Sequence, residues 1–155
     1  MTAITRILVP VDFSPCSQAA VDYAASLAER FDAALEVLHV WDPVRTMSPP
    51  AGPGGRAGGG ARELSEFAVT EPGQAMDGVL DALEKRGLPR VRGRLATGDP
   101  PTAILDAGAS DGCDLIVMGT HGRTGLARFV FGSVAEAVVR RAPCPVLTIK
   151  AAAQP

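Results

Sequence analysis

The sequence LIVMGTHGRTGLARFVFGSVAEAVVRR, residues 115–141, predicts a complete strand, loop and helix. Its first four residues are apolar and are followed by Gly119, which predicts a short strand. Because these apolar residues follow one another without polar alternation, we expect both faces of the strand to be covered, as in a parallel sheet. After Ser133, apolar residues recur at helical spacing until Pro143 ends the pattern. A strand that leads through a loop into a helix is the repeating unit of α/β proteins.

The same unit recurs along the chain. Strands are predicted at Ile7–Val9, Leu35–Val40, Val91–Ala96, Leu115–Met118 and Val146–Ile149, and helical patterns lie between them at 20–31, 76–83, 103–107 and 134–141. This alternation predicts an α/β fold, a single-domain, doubly wound sheet of five parallel strands. In such sheets, ligands bind beyond the carboxyl ends of the strands, where the strand order reverses. That rule selects the loops after the first and fourth strands.

Local signals predict where helices begin and where regular structure stops. Ser14 followed by Pro15 is typical of an N-cap and the first residue of a helix. Residues 48–60 read SPPAGPGGRAGGG and have no apolar period, so we expect a flexible surface loop. Pro72-Gly73 interrupts the next helical pattern, and we therefore expect residues 61–69 to form a separate short helix or no helix.

Composition excludes several classes of protein. The chain has 155 residues, a formal net charge of -2 and 46% hydrophobic residues, which suits an ordinary globular domain. This charge gives no reason to expect nucleic acid or a membrane surface as a partner. Three cysteines, Cys16, Cys113 and Cys144, lack C-x-x-C spacing, so we expect reduced thiols and neither a disulfide framework nor a zinc site. The N-terminal apolar stretch is too short for a signal peptide, and we expect a cytoplasmic protein.

Glycines after the fourth strand indicate an anion site. Gly119, Gly122 and Gly132 let backbone amides approach a phosphate without a Cβ in the way, and the following helix presents unpaired N–H groups at its start. Ser133 has two interpretations. With Glu136 it forms the S-x-x-E pattern of a capping box, and its hydroxyl or amide could also contact a phosphate oxygen.

Cationic side chains accompany these glycines. His121, Arg123 and Arg128 would complement a phosphate, although each is equally consistent with a solvated loop charge.

The glycines also carry a family resemblance. Gly119-x2-Gly122-x9-Gly132-Ser133 matches the pattern of the ATP-binding branch of the universal stress proteins, and three other segments resemble that family in the same order: residues 7–14 (ILVPVDFS), 38–40 (LHV) and 142–147 (APCPVL). The resemblance implies one universal stress protein domain over residues 1–150, with the loop at 48–60 as a departure and 151–155 as a tail. It also implies an adenine nucleotide alpha hydrolase-like fold with strand order 3-2-1-4-5.

The resemblance assigns roles to individual residues. It implies that Pro10, Val11 and Asp12 line the ribose and adenine side, that Val40 offers backbone groups to the adenine edge, and that Met118 packs near the sugar or base. Phosphates would be held by Gly119, Gly122, Gly132, Ser133 and the amide of Val134, with Mg²⁺ between phosphate oxygens and no metal ligands from the protein. Alternatives remain open for some of them. Asp12 could cap the turn after the first strand, and Val40 and Met118 could be core residues.

Catalytic machinery is not evident in the sequence. No G-x4-G-K-[S/T] motif is present, and Ser14, His39 and Asp42 lack the nucleophile elbow of a hydrolase triad. We therefore assign no catalytic residues and leave enzymatic activity open. The favoured function is an ATP-binding sensor or regulator in the stress response. The alternatives are a slow adenine-nucleotide phosphohydrolase, with His121 or Asp12 positioning water, and a dimeric interaction module that binds no nucleotide.

The C-terminal strand predicts self-association. Val146–Ile149 is expected at the edge of the sheet, where unpaired backbone groups invite pairing with a second copy across a two-fold axis. We therefore expect a homodimer and, for a regulator, a further protein partner that the sequence does not identify.

Overall fold

Strands and helices alternate through the computed structural model, which describes residues 3–44, 61–121 and 131–150. In chain order the elements are β1 (Arg6–Val11), α1 (Pro15–Phe31), β2 (Ala34–Trp41), α2 (Ala61–Lys85), β3 (Val91–Thr97), α3 (Pro100–Ser110), β4 (Leu115–Gly119), α4 (Ser133–Arg141) and β5 (Val146–Ile149). The predicted loop at 48–60 and the predicted tail at 151–155 lie outside the described residues.

The sheet has five parallel strands in the order β3-β2-β1-β4-β5. Ile7 of β1 pairs with Leu35 of β2 on one side and with Leu115 of β4 on the other. The chain therefore builds outward from β1 in one direction and then crosses to β4, so the order reverses between these two strands. The predicted fold and strand order are confirmed, and β5 lies at the edge of the sheet, as predicted.

Each face of the sheet is covered by a pair of helices. On one face, alanines and Val21 of α1, together with Met76 and Leu83 of α2, pack against alternate strand residues such as Val9, Val37 and Val117. On the other face, α3 and α4 cover the intervening strand residues, with Ile104 and Val138 against Leu8, Leu38 and Ile116. Burial on both faces explains why β1 and β4 are apolar without alternation.

The predicted start of α1 is confirmed. Ser14 is the N-cap in an extended conformation, its hydroxyl oxygen accepts a hydrogen bond from the Ser17 amide at 3.2 Å, and Pro15 occupies the first helical position. At the other end, Asp32 adopts the left-handed conformation that closes many helices. The boundaries of α1 thus follow from local chemistry.

The predicted interruption at Pro72-Gly73 is wrong. One helix, α2, runs from Ala61 to Lys85 and contains Pro72. Proline already has a helical φ, and its cost inside a helix is mainly one lost N–H bond and crowding of the preceding turn. After Pro72, Met76 and Leu83 are buried against the sheet, and this packing offsets the local cost.

In the ranges that the structure describes, no helix combines the length and the apolar character needed to cross a membrane. All three cysteines are free thiols.

Candidate functional site

A cavity of about 300 Å³ opens at the carboxyl ends of β1 and β4, where the strand order reverses. This is the location that the topology rule predicts for a ligand. The described residues that line it are Pro10, Val11, Asp12, Ser17, Leu38, Val40, Pro100, Ile104, Met118, Gly119, Thr120, His121, Gly132, Ser133, Val134 and Ala135.

Most of the residues singled out from the sequence therefore line one pocket. The exceptions are Gly122 and Arg123, which lie outside the described residues, as does Arg128. Sequence reasoning missed Pro100 and Ile104 because they belong to α3, which follows a strand away from the reversal point. It also missed Ser17, Leu38, Thr120 and Ala135, although the last two adjoin residues of the glycine motif and could have been found from it.

One wall of the pocket is apolar. Leu38 and Val40 contribute from β2, Ile104 from α3 and Met118 from β4. Leu38, Ile104 and Met118 are also buried members of the core on this face, and Val40 packs against them. Val40 and Met118 can therefore be both core residues and pocket residues, because the edge of the core forms this wall of the pocket.

The turn after β1 brings a carboxylate to the pocket. Asp12 lines the cavity, and its Oδ1 accepts a hydrogen bond from the Ser14 amide at 3.0 Å, so it does cap the turn. Between them, Phe13 has a φ of 61°, a left-handed conformation that is uncommon for an aromatic residue and costs on the order of 1 kcal/mol. The Phe13 ring packs against the His39 ring in a tilted arrangement, with 4.7 Å between the ring centroids, and this contact helps to hold the turn.

His39 has a structural role at the edge of this turn. Its Nδ1 is 2.8 Å from the carbonyl oxygen of Val11, and because a carbonyl only accepts, Nδ1 carries the proton. Ser14, its imagined triad partner, instead uses its hydroxyl oxygen to cap α1. These contacts give no support to a Ser14–His39–Asp42 triad.

Thr120 joins the two ends of the glycine segment. Its carbonyl oxygen accepts a hydrogen bond from the Gly132 amide at 2.7 Å, and its own amide donates to Ile149 at 3.0 Å. Its buried hydroxyl lies 2.8 Å from Nδ1 of His121. The other ring nitrogen of His121, Nε2, is buried and has no hydrogen-bond partner among the described residues. Because His121 lines the cavity, this atom is available to a ligand there.

The start of α4 corrects the prediction for Ser133. Gly132, in an extended conformation, is the N-cap, and Ser133 is already the first helical residue, so the predicted capping box is wrong. The Ser133 side chain makes no cap bond from that position, and Glu136 instead pairs with Arg140 at 3.0 Å, one turn along the helix. Within the described chain no side chain caps this helix.

The uncapped helix start is electropositive. The amides of Ser133, Val134 and Ala135 have no acceptor within the helix, and the helix dipole places about half a positive charge at this end. All three residues line the cavity. An anionic group in the pocket would supply the missing acceptors.

Gly119 is explained by packing. A Cβ at this position would lie 2.9 Å from Sγ of Cys16 and 3.1 Å from its carbonyl carbon. The glycine therefore allows α1 to approach the end of β4 closely. This close contact explains why residue 119 is a glycine, and the explanation requires no ligand.

Metal binding by the protein itself is not indicated. In residues 3–44, 61–121 and 131–150, no group of three or more His, Cys, Asp or Glu side chains is placed to hold a metal ion.

The fold and the pocket define a doubly wound α/β protein with a helix start that lines a cavity at its reversal point. The family model described as the Universal stress protein family matches residues 3–150, and the chain belongs to that family. A universal stress protein of Methanocaldococcus jannaschii is 36% identical over 94% of this chain and 81% of its own length.

Solved structures give the same result. The universal stress protein UspA from Lactobacillus plantarum is 31% identical, with a TM-score of 0.79 over 96% of this chain and 99% of that one. The universal stress protein from Archaeoglobus fulgidus, solved in complex with dAMP, has the same fold, with a TM-score of 0.68 and 22% identity over 96% of this chain and 100% of that one.

Proposed function

We propose that this protein is an ATP-binding sensor or regulator of the stress response, with the nucleotide held in the pocket between β1 and β4. Mg²⁺ would be bound by the phosphate oxygens. The observation that carries the proposal is the uncapped start of α4, which lines the same cavity as the apolar side chains of Val40, Ile104 and Met118. A ligand that fits both ends has an anionic part and a flat apolar part, as a nucleotide does.

The phosphate end of the proposed site is built mainly from backbone. Amides of Ser133, Val134 and Ala135 would donate to phosphate oxygens, and the Ser133 hydroxyl is free of capping duty. Nε2 of His121, buried without a partner in the described chain, would complete the set as a donor in the neutral tautomer whose Nδ1 accepts from the Thr120 hydroxyl. Hydrogen bonds from neutral groups to a charged acceptor contribute about 1.5–3 kcal/mol each.

The base end is formed by the apolar wall. Val40, Ile104 and Met118 would contact the faces and edge of an adenine, and Asp12 lies at the turn between the two ends, where a ribose hydroxyl could donate to its carboxylate. The volume of about 300 Å³ is at the lower end of the range for small-molecule sites. The relative from Archaeoglobus fulgidus that holds dAMP supports an adenine nucleotide as the class of ligand.

We further propose a cytoplasmic homodimer. β5 is at the edge of the sheet, and each of its four residues is only half-buried. Antiparallel pairing of two β5 strands would cover these residues and satisfy their outer backbone groups.

Two substitutions at Ser133 test the nucleotide site. Ser133→Ala removes only the hydroxyl, whereas Ser133→Pro also removes an amide proton that no bond of the helix uses. Proline is tolerated at a first helical position, and Gly132, with φ -58° and ψ 151°, already has the conformation that a following proline requires. In calorimetric titrations with Mg²⁺ and ATP, we expect the affinity of Ser133→Pro to fall by about tenfold to a hundredfold and that of Ser133→Ala by less.

Adenosine is the matched ligand control. It keeps the base and sugar but lacks phosphate, so it should bind more weakly than ATP and should not distinguish Ser133→Pro from the native protein. Thermal unfolding without ligand checks that both variants are folded. Absence of binding heat for the native protein with millimolar ATP, or equal ATP affinity in all three proteins, would contradict the proposal.

A further inference from the structure

We propose that Cys113 and Cys144 form a redox modification site, a dithiol that hydrogen peroxide converts to a reversible disulfide. The two sulfur atoms are 3.5 Å apart, although 31 residues separate them in the chain. A disulfide requires a sulfur–sulfur distance of 2.03–2.05 Å, so a displacement of about 1.5 Å, shared by two side chains, completes the bond. This inference is independent of nucleotide binding.

The fold holds the two thiols together. Cys113 precedes β4 and Cys144 precedes β5, and these strands are neighbours in the sheet, so the cysteines meet at its amino end, opposite the pocket. The backbone on either side is fixed by hydrogen bonds, from the Cys113 amide to Gly108 at 3.1 Å and from the Ile116 amide to Pro145 at 3.0 Å.

Gly108 of α3 lies beside the pair without crowding it. A Cβ at that position would lie 3.8 Å from Sγ of Cys113 and 3.8 Å from Cγ of Pro143. Both cysteines are intermediate in burial, which leaves the pair within reach of a small oxidant and limits the approach of larger thiols.

The two sulfurs differ in chemistry. Burial, followed by the hydrogen bond and the charge of Cys144, raises the pKa of Cys113 to about 12. Cys113 therefore keeps its proton at neutral pH and is the poorer nucleophile, because the thiolate is the form that attacks peroxide. We therefore write the first oxidation at Cys144, an order that dimedone trapping in the single variants tests.

The reaction balances with one peroxide per pair. The Cys144 thiolate attacks a peroxide oxygen, an S–O bond forms and the O–O bond breaks, and the departing hydroxide takes a proton from solvent to become water. The Cys113 sulfur then attacks the sulfenic sulfur of Cys144. The S–S bond forms, the S–O bond breaks, and the second hydroxide leaves as water with the Cys113 proton. Two thiols are oxidised, and the peroxide is reduced to two water molecules.

Peptide mapping of the full chain tests the proposal. Each cysteine lies in a different tryptic peptide, with Cys16 in 7–30, Cys113 in 95–123 and Cys144 in 142–150. After equimolar hydrogen peroxide, denaturation in an alkylating agent and digestion without reductant, we expect 95–123 joined to 142–150, about 2 Da lighter than the sum of the two thiol peptides. Dithiothreitol should remove this species, and 7–30 should remain alkylated.

Single variants separate the two roles. Cys113→Ser should leave a Cys144 sulfenic acid that dimedone traps. Cys144→Ser should abolish the cross-link and leave Cys113 as an unoxidised thiol, which is recovered in its alkylated form. Cys16→Ser is the matched control, because Cys16 is buried and its thiol donates to the carbonyl of Ile149 at the other end of β5. That variant should form the cross-link as the native protein does.

The native protein alone can overturn the proposal. Full alkylation of Cys113 and Cys144 after peroxide treatment, or a disulfide that involves Cys16 or joins two chains, would contradict the assigned pair. A dimedone adduct on Cys113 instead of Cys144 in the native protein would contradict the assigned order of reaction.

Discussion

At the level of single residues, Gly119 lies where α1 passes the end of β4. The nearest contacts of an added methyl group would include Sγ of Cys16 at 2.9 Å and backbone atoms of Cys16 at 3.1 and 3.2 Å. Because backbone cannot move aside as a side chain does, we expect Gly119→Ala to lower the free energy of unfolding by about 1–3 kcal/mol. Urea denaturation of the native and substituted proteins measures this difference.

Gly78→Ala is the matched control for Gly119→Ala. Gly78 lies in α2, and a Cβ there would meet nothing within 4 Å. Alanine favours a helix over glycine by about 0.5–1 kcal/mol, so this substitution should stabilise the protein. Destabilisation by both substitutions, to the same extent, would show that the contact with Cys16 is not the cause.

Single residues also show where sequence reasoning stops. The pattern of Ser133 and Glu136 predicts a capping box, but which of two adjacent residues takes the N-cap depends on backbone conformation. Gly132 takes it, and the serine is shifted by one position into the helix. Asp12 shows the opposite case. The sequence left open that it caps the turn after the first strand, and in the structure its carboxylate does accept a hydrogen bond from the Ser14 amide.

At the level of elements, the start of α3 joins helix stability to the pocket. Asp99 is its N-cap and accepts hydrogen bonds from the Thr102 amide at 3.2 Å and the Thr102 hydroxyl at 2.6 Å, while Pro100 and Ile104 of this helix line the cavity. We expect Asp99→Ala to lower the free energy of unfolding by about 1 kcal/mol. If the site binds ATP, affinity should fall as well, because the wall carrying Ile104 loosens.

The control for Asp99→Ala is Asp106→Ala, which removes the same charge from an exposed position in the middle of α3. Its effect on urea denaturation should be within about 0.5 kcal/mol. Equal losses for the two variants would contradict a capping role for Asp99.

Elements were predictable where local signals agree with packing. Ser14-Pro15 predicts a cap directly before a proline, and α1 begins there. In the structure, α3 begins in the same way, at Asp99-Pro100. Pro72 gave the wrong answer, because the local penalty of a proline says nothing about the burial of Met76 and Leu83 further along the same helix. The continuity of α2 depends on tertiary packing, which an argument from local helix propensity does not take into account.

At the level of the whole molecule, Asp114 joins distant parts of the chain at the start of β1 and β4. Its Oδ2 accepts hydrogen bonds from the Thr5 amide and the Thr5 hydroxyl, each at 2.8 Å, and from the Arg6 amide at 2.9 Å. These bonds, those from Thr5 first, lower the pKa of Asp114 in the folded protein. The carboxylate therefore favours folding at any pH above its unfolded pKa of about 3.9.

We expect Asp114→Asn to be less stable than the native protein at neutral pH. Since the folded pKa lies below the unfolded one, the native protein's advantage should decline as the pH falls below about 4 through the folded pKa, and be lost once the carboxyl is protonated in both states. Urea denaturation at several pH values measures this difference. Asp106→Asn serves as the control, and a deficit of Asp114→Asn that is the same at every pH would contradict the argument.

The overall fold was predictable because strands and helices alternate with clear boundaries, and the alternation restricts the topology. The pocket followed from the reversal point and the glycine motif. What could not be predicted depends on which strands become neighbours. Cys113 and Cys144 are reduced thiols without a motif in the sequence, and only the pairing of β4 with β5 brings their sulfurs to 3.5 Å.

The bond between the Gly132 amide and the Thr120 carbonyl has a consequence for evolution and engineering. It fastens the chain before and after the intervening segment to the same point of the scaffold, and Thr120 is itself anchored to β5. The entropy of closing a loop grows slowly, by about 0.6 kcal/mol for each doubling of its length. Insertions or replacements between these two anchors should therefore leave the sheet in register, which makes this segment a suitable place to graft new ligand contacts onto an unchanged framework.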